Sequence, residues 1–288
     1  MSQYQPMRSS TPKSLSSSHG PRGITSPLLW MAIILAGCGD LHPMAVPVGD
    51  ANTRVVSVAA AADLKFALED LIDHFKRRHP AIKVKVTYGS SGSLFAQISQ
   101  SAPFDMFFSA DMDYPRKLIE GGFAGADGEF LYAEGHIVVW VPNASPLDLE
   151  TLGIRAVTAP SARRVAIANP RHAPYGRAAE AALKNLGVYE EVRDRLVLGE
   201  NVAQAAQFVA SGAADVGIIA RSLASAPSMR GEGRSWPVPT GAHPPLRQGG
   251  VILSRARDRD ATRLFRESVT GEEGRDVFRR HGFTVPEG

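Results

Sequence analysis

The sequence predicts an α/β fold of two lobes, each with a mixed, mostly parallel sheet and helices packed around it. From residue 54 onward, stretches with the apolar pattern of strands alternate with stretches that have the pattern of helices. This alternation occurs in two successive units. A chain of 288 residues with 44% hydrophobic content is also long enough to bury two modest cores.

The net positive charge of the chain comes from the segment ahead of these two units. Residues 1–37 contain Arg8, Lys13 and Arg22 and no acidic residue. Of the 32 Lys and Arg residues, 29 therefore remain in the rest of the chain, against 29 Asp and Glu. Because this body is neutral, binding to a phosphate backbone loses its main support, and we expect no nucleic-acid partner.

The beginning of the chain has the pattern of an export signal. The apolar run at 27–36 is shorter than the roughly 20 residues that span a bilayer, and it follows a basic segment. "LAGC", which ends at the single cysteine Cys38, resembles the lipobox of bacterial lipoproteins. We therefore expect a signal peptide at 1–37, lipidation of Cys38, a tether at 38–53, and a lipoprotein that is anchored to a membrane in the periplasm.

The first unit begins with the strand pattern "RVVSVAAAA". It continues into a helix with one apolar face, formed by Leu64, Leu68, Leu71, Ile72 and Phe75. The strand "IKVKVTYG" and the helix "LFAQISQSA" follow. The strand "FDMFFSA" and the helix "YPRKLIEGG", which glycines end, complete the unit.

The second unit has the strand patterns "HIVVWVP", "RRVAIANP" and "ADVGIIA". Its helical patterns are "RAAEAALKNLG", which closes at Gly187, and "NVAQAAQFVASG". We expect residues 226–245 to be irregular, "RQGGVILSRA" to return as a strand, and the remaining chain to be mostly helical. The predicted first lobe comprises 54–136 and 250–288, and the second comprises 137–249.

Four junctions between a strand and a helix carry candidate site residues. The first places Asp63 at a helix start, and the second is the run of small residues at 89–93. The third, at 169–179, enters a helix through a proline turn, and the fourth lies at 199–206. Each also has an ordinary explanation, since Asp is a favoured N-cap and "GSSGS" is typical of a turn with Ser93 as N-cap.

Helix starts attract anions because their first N–H groups lack partners and the helix dipole is positive there. Several such starts in one cleft would hold a compact oxyanion without Lys or Arg. The Gly/Ser run is not followed by "GK[ST]", which argues against a nucleotide-binding loop.

The motifs "VAAAADLKFALEDLIDHF", "VTYGSSGSLFAQISQSAPFDMFFSAD", "NPRHAPYGRAAEAALKNLG" and "FRRHGF" resemble the molybdate-binding proteins of ABC importers. The resemblance covers about residues 54–283. It implies a type II periplasmic-binding-protein fold, with a ligand cleft between the lobes. It also implies a monomer that is not an enzyme, needs no cofactor, and delivers molybdate, and also tungstate, to a permease driven by an ATPase.

The resemblance also implies a set of ligand positions. They fall on the hydroxyl of Ser91, on Asp63 with Ala62 beside it, on Tyr175, and on the backbone N–H of Val202. Ser90, Gly92 and Ser93 shape the loop around Ser91.

Two positions depart from the family's pattern. Many members carry Ser at Asp63, and a carboxylate beside a dianion repels it. We therefore expect that the carboxylate caps its own helix. The alternatives are that it stays protonated and donates to the ligand, or that it accepts a proton from a protonated ligand such as hydrogen phosphate. Many relatives also carry Tyr at the position of Ala220, and Tyr175 is our candidate for the missing hydroxyl donor.

Other functions find less support in the sequence. The eight histidines lack a spacing such as H-E-x-x-H, and we interpret His172, in its proline-rich turn, as structural. Ser91 has no identifiable partners for a nucleophilic triad. Sulfate and phosphate remain alternatives to molybdate, because the sequence does not resolve the size or the protonation of the anion.

Overall fold

The computed structural model describes residues 54–286, and ten strands lie within that range. They are β1 (Arg54–Ala61), β2 (Ile82–Gly89), β3 (Met106–Ser109), β4 (Ala124–Gly135), β5 (Ile137–Pro142), β6 (Val165–Ala168), β7 (Leu196–Gly199), β8 (Val216–Ala220), β9 (Gly233–Pro237) and β10 (Leu246–Leu253). The predicted signal segment at 1–37, Cys38 and the tether at 38–53 lie outside the described residues.

Eleven α-helices occur in the same range. They are α1 (Lys65–Arg78), α2 (Ser91–Ser99), α3 (Asp113–Glu120), α4 (Leu149–Leu152), α5 (Pro174–Asn185), α6 (Tyr189–Val192), α7 (Val202–Ala210), α8 (Arg221–Ala224), α9 (Pro227–Arg230), α10 (Arg259–Thr270) and α11 (Glu272–Arg280). Short 3₁₀ helices lie at Ala62–Leu64, Gly153–Thr158, Arg193–Arg195 and Thr240–Ala242. None of the helices that the structure describes is long and apolar enough to cross a membrane.

The first lobe is built on a sheet with the strand order β2-β1-β3-β10-β4. β1 is parallel to β2 and β3, whereas β10 is antiparallel to β3 and β4. The second lobe has the order β7-β6-β8-β5-β9, with β6 parallel to its neighbours and β5 antiparallel to its own. In both sheets only the fourth strand runs against the others, which confirms the predicted mixed, mostly parallel sheets.

These fourth strands, β5 and β10, lie at the two places where the chain crosses between the lobes. The chain leaves the first sheet at the end of β4 and enters the second as β5 after a single residue, His136. It returns as β10, which pairs with β4 from the register Leu246↔Gly135 onward. The predicted lobe boundary between residues 249 and 250 therefore falls within β10.

Three strands were not predicted. β4 carries charged and glycine residues and has register shifts against β10, β7 has only four residues, and β9 lies at a sheet edge. These features remove the strict alternation of apolar and polar residues by which a strand is recognised in a sequence. The expectation that 226–245 is irregular was wrong, because α9 and β9 lie within it.

Each lobe has its own core. In the first lobe, aromatic rings pack between the sheet and the helices α1, α10 and α11. Phe265 is fully buried, with its ring edge-on to Phe75 at 5.2 Å and to Phe108 at 6.2 Å between centroids. The second core surrounds β5, β6 and β8, with α5 and α7 packed on it. The two cores fix the strand ends from which the site is built.

The Phe265 position allows a direct test of the first core. We expect Phe265→Ala to lower the free energy of unfolding by about 3–5 kcal/mol, because it removes a ring from a packed aromatic cluster. Leu198→Ala is the control: Leu198 is 47% exposed, so its change stays within about 0.5 kcal/mol. Urea denaturation measures both, and equal losses would contradict this description of the core.

Candidate anion site between the lobes

All four predicted junctions border one small cavity between the lobes. Ala62, Ser90 and Ser91 reach it from the first lobe, and Tyr175 and Val202 from the second. The full lining is Ala61, Ala62, Gly89, Ser90, Ser91, Ala110, Ala173, Pro174, Tyr175, Asn201 and Val202. Every lining residue is uncharged.

Helices begin at this cavity, and their first amides are free. Ser91 opens α2, Val202 opens α7, and Tyr175 is the second residue of α5, after Pro174. Within residues 54–286, no acceptor pairs with the amides of these three residues. A helix leaves such first-turn N–H groups without internal partners, so they are available to a ligand.

Ser91 adds a hydroxyl to these amides. Its side chain is 1% exposed, and its Oγ accepts a hydrogen bond of 2.9 Å from the Ala110 amide. A hydroxyl that accepts on one side can still donate its hydrogen on another. The Ala110 contact therefore holds Ser91 Oγ in place and leaves its O–H as a donor.

Ser90 has a different task. It is the N-cap of α2, and its Oγ accepts from the Ser93 amide at 3.3 Å. The same oxygen lies 2.8 Å from His172 Nδ1 and 2.8 Å from Ser93 Oγ. Ser90, and not Ser93, is therefore the N-cap of α2.

Gly92 is the glycine of this loop that the close approach of the lobes requires. A Cβ on Gly92 would lie 2.6 Å from the His172 carbonyl oxygen and 2.8 Å from the Tyr114 hydroxyl. Instead, the Gly92 amide donates to that carbonyl at 2.9 Å. The run of small residues therefore lets the start of α2 touch the second lobe.

Asp63 does not line the cavity. Its carboxylate is buried beside it, where Oδ2 accepts from the Tyr175 hydroxyl at 2.9 Å and from Gln248 Nε2 at 2.6 Å. The expectation that this carboxylate caps its own helix was wrong, since the 3₁₀ helix at Ala62–Leu64 has no side-chain cap. Instead, the carboxylate accepts from a donor of the second lobe and from one of β10.

Tyr175 contributes to the cavity through its position rather than through its hydroxyl. The hydroxyl donates to Asp63 and accepts from Gln248 Nε2 at 2.9 Å, so its hydrogen is not directed at a ligand. Tyr175 therefore does not supply the hydroxyl donor that we expected it to provide in place of the one missing at Ala220. Ala220 is fully buried at the end of β8 and is not among the lining residues.

Two residues of this region were missed by the sequence analysis. Gln248 and Tyr132 are buried, and the Tyr132 hydroxyl lies 3.1 Å from Gln248 Oε1 and 3.0 Å from the Ser109 carbonyl oxygen. Gln248 Nε2 donates to Asp63. No sequence pattern marks these two strand residues. His172, which was interpreted as structural, contacts Ser90 and Gly92 of the first lobe.

Burial sets the protonation of this group of residues. It raises the pKa of Asp63 to about 6 from an ordinary value of 3.8, although the hydrogen bonds from Gln248 and Tyr175 oppose the rise. One carboxylate oxygen, Oδ1, has no partner within the described residues. Burial also raises the pKa of both Tyr132 and Tyr175, so they remain donors at neutral pH.

Residues 56–284 match the family described as bacterial extracellular solute-binding protein. The chain belongs to this family. The family is a class of binding proteins and not a class of enzymes, and its description as extracellular supports export. Within residues 54–286, no group of three or more His, Cys, Asp or Glu side chains is placed to hold a metal ion.

Two of the relatives that match this chain are molybdate-binding proteins. The molybdate-binding protein ModA of Rhodobacter capsulatus is 36% identical over 202 residues, which are 70% of this chain and 77% of that protein. ModA of Azotobacter vinelandii is 35% identical over 234 residues, 81% of this chain and 91% of its own length. These relatives confirm the resemblance that the motifs predicted.

Solved structures agree with this fold. The periplasmic molybdate-binding protein of Azotobacter vinelandii superposes with a TM-score of 0.74 at 31% identity, covering 81% of this chain and all of that one. The sulfate-binding protein SubI of Mycobacterium tuberculosis H37Rv has a TM-score of 0.66 at 13% identity, with coverage of 81% and 88%. The second likeness concerns the fold alone.

The raised pKa of Asp63 predicts a pH-dependent stability. A raised pKa means that the folded state holds the proton more tightly, so this contribution is complete below about pH 4 and is lost as the pH rises through about 6. For a shift of about two units the loss is about 2–3 kcal/mol. Asp63→Asn keeps an acceptor for Tyr175 and Gln248 without the charge, and it removes this loss.

Urea unfolding at pH 4, 5 and 7 measures the difference between the wild type and Asp63→Asn. We expect the variant to gain on the wild type as the pH rises. Asp113→Asn, at an exposed position of α3, is the control and should follow the wild type at each pH. Parallel curves for the wild type and Asp63→Asn would contradict the assignment of a buried ionisable carboxyl.

Proposed function

We propose that this protein captures molybdate outside the cytoplasm, as the substrate-binding component of an ABC importer, and delivers it to the permease that an ATPase drives. The observation that carries the proposal is an uncharged cavity bordered by free amides from both lobes. An oxyanion in it would accept hydrogen bonds from Ser91, Tyr175 and Val202, and also from Ala62. The anion then bridges the lobes.

The donor set favours an anion without protons of its own. The cavity offers N–H groups and the Ser91 hydroxyl, whereas the Asn201 side-chain oxygen is engaged in capping α7. The Asp63 carboxylate, which could accept a proton from the ligand, is turned to Tyr175 and Gln248. Hydrogen phosphate would need an acceptor for its own O–H, and Asp63, whose Oδ1 has no partner within the described residues, does not line the cavity.

Sulfate is the remaining alternative, because it presents the same four acceptor oxygens. The closely similar relatives are molybdate-binding proteins, whereas the likeness to a sulfate-binding protein is one of fold, and we therefore favour molybdate. Tungstate is nearly isosteric with molybdate and should bind too. The proposal includes a lipid anchor at Cys38, supported by "LAGC", and a monomer that exchanges between open and closed forms.

Calorimetric titration of the domain with molybdate, tungstate, sulfate and phosphate tests the proposal. We expect saturable binding of one molybdate or tungstate per chain, much weaker binding of sulfate, and the weakest binding of phosphate. Sulfate binding far tighter than molybdate binding would overturn the assignment.

Ser91→Ala tests the contribution of the hydroxyl. A hydrogen bond to a charged group contributes about 1.5–3 kcal/mol, so the molybdate affinity should fall about 10–100-fold. Ser235→Ala, at an exposed position of β9, is the matched control and should leave the affinity unchanged. An equal effect of the two substitutions would show that Ser91 is not a ligand.

A further inference from the structure

Five residues connect the lobes directly beside the proposed anion cavity, and we call them the rim cluster: Ser90, Gly92 and Ser93 of the first lobe, and His172 and Glu200 of the second. Ser93 Oγ donates to Glu200 Oε1 at 2.9 Å, and Ser90 Oγ lies 2.8 Å from His172 Nδ1. The Gly92 amide donates to the His172 carbonyl at 2.9 Å. His172 Nε2 and Glu200 Oε2 lie 3.5 Å apart.

The rim cluster is attached to the chain segments that border the cavity. Ser91 lies between Ser90 and Gly92, and Ala173 follows His172 directly. Glu200 precedes Asn201 and Val202. When the lobes separate, these contacts break together with the enclosure of the anion, because the same short segments carry both.

The packing at Gly92 makes the contact sensitive to small changes. There is no room for a Cβ between Gly92 and the backbone of His172, where the nearest atom would be 2.6 Å away. A backbone atom cannot move aside as the end of a flexible side chain does. Closure at this rim therefore depends on glycine at position 92.

The charge of Glu200 indicates that the cluster does not act by attracting the ligand. Its side chain is 59% exposed at the edge of a site proposed for a dianion, and a carboxylate there repels an approaching anion. Instead, Glu200 Oε1 accepts from Ser93 of the opposite lobe, while His172, 3.5 Å away, lies on the same lobe as Glu200. The contact with Ser93 exists only when the lobes are together, so it stabilises the closed form.

We propose that the rim cluster holds the lobes closed over the bound anion and thereby sets the rate at which the anion is released, with His172 and Glu200 as positioning residues that do not touch the ligand. This proposal rests on the proposed function of the cavity. Contacts that are made after the ligand has entered lower the dissociation rate and leave the association rate nearly unchanged.

Stopped-flow measurements of molybdate binding and release separate the two rates. For Glu200→Ala and for His172→Ala we expect the dissociation rate to rise about tenfold, since each loses a contact across the cleft, with an association rate that changes less than about twofold. Glu200→Gln keeps an acceptor for Ser93 and should show a smaller rise than Glu200→Ala. Glu190→Ala, on the exposed surface of α6, is the matched control and should keep both rates.

Gly92→Ala is a second, independent variant. Its added Cβ meets the His172 carbonyl, so the dissociation rate should rise at least as much as in Glu200→Ala. Thermal unfolding of the unliganded variants checks that each one folds. A folded set whose dissociation rates equal the wild-type rate, or whose loss of affinity arises from slower association, would overturn the proposal.

The proposed function and the proposed role of the rim cluster can be tested separately. If the wild-type protein binds molybdate but the rim variants release it at the wild-type rate, the proposed function stands and the role of the rim cluster is wrong. If the wild type binds sulfate instead, the same rates measured with sulfate test the rim cluster. A wild type that binds none of these oxyanions would contradict both.

Discussion

The unpaired amides at the starts of three helices are the feature on which the rest of this structure depends. Each amide belongs to a different segment, and the two mixed, mostly parallel sheets bring these helix starts to one place. A buried amide without a partner is costly, so the closed arrangement is incomplete until something accepts these hydrogen bonds. Under the proposed function, capture of an anion and closure of the lobes are one event, because the acceptor would join helix starts that belong to opposite lobes.

The placement of charge follows from the same constraint. No charged side chain lines the cavity, so the ligand's charge is balanced by dipoles and not by a salt bridge. The buried carboxylate beside the cavity, Asp63, does not line it and accepts hydrogen bonds from Tyr175 and Gln248. Its burial beside a site for an anion has a cost, which the raised pKa expresses. The same carboxylate connects the lobes, because it accepts a hydrogen bond from Tyr175 of α5.

The sequence predicted the architecture well where strong patterns exist. The apolar face of α1, the small residues after β2 and the proline before α5 identified the elements and the four junctions, because each has a local physical cause. β4, β7 and β9 escaped detection, since bulges, short length and edge positions remove the alternation of apolar residues.

The candidate site was predicted only in part, for a similar reason. The positions of Ser91, Tyr175 and Val202 around the cavity follow from helix starts, which are visible in the sequence. The direction of the Asp63 carboxylate and the contacts of His172 depend on residues more than 80 positions away in the chain, such as Tyr175 and Ser90. Contacts at that range are set by tertiary packing, and no local pattern reports them.

The crystal structure of the domain loaded with molybdate, with the molybdenum located by its anomalous scattering, tests the central claim most directly. The account predicts one tetrahedral anion in the cavity. Its oxygens should accept from the amides of Ser91, Tyr175 and Val202 and from the Ser91 hydroxyl, while Asp63 stays bonded to Tyr175. Molybdenum at another place, or an anion held by Arg or Lys side chains, would contradict it.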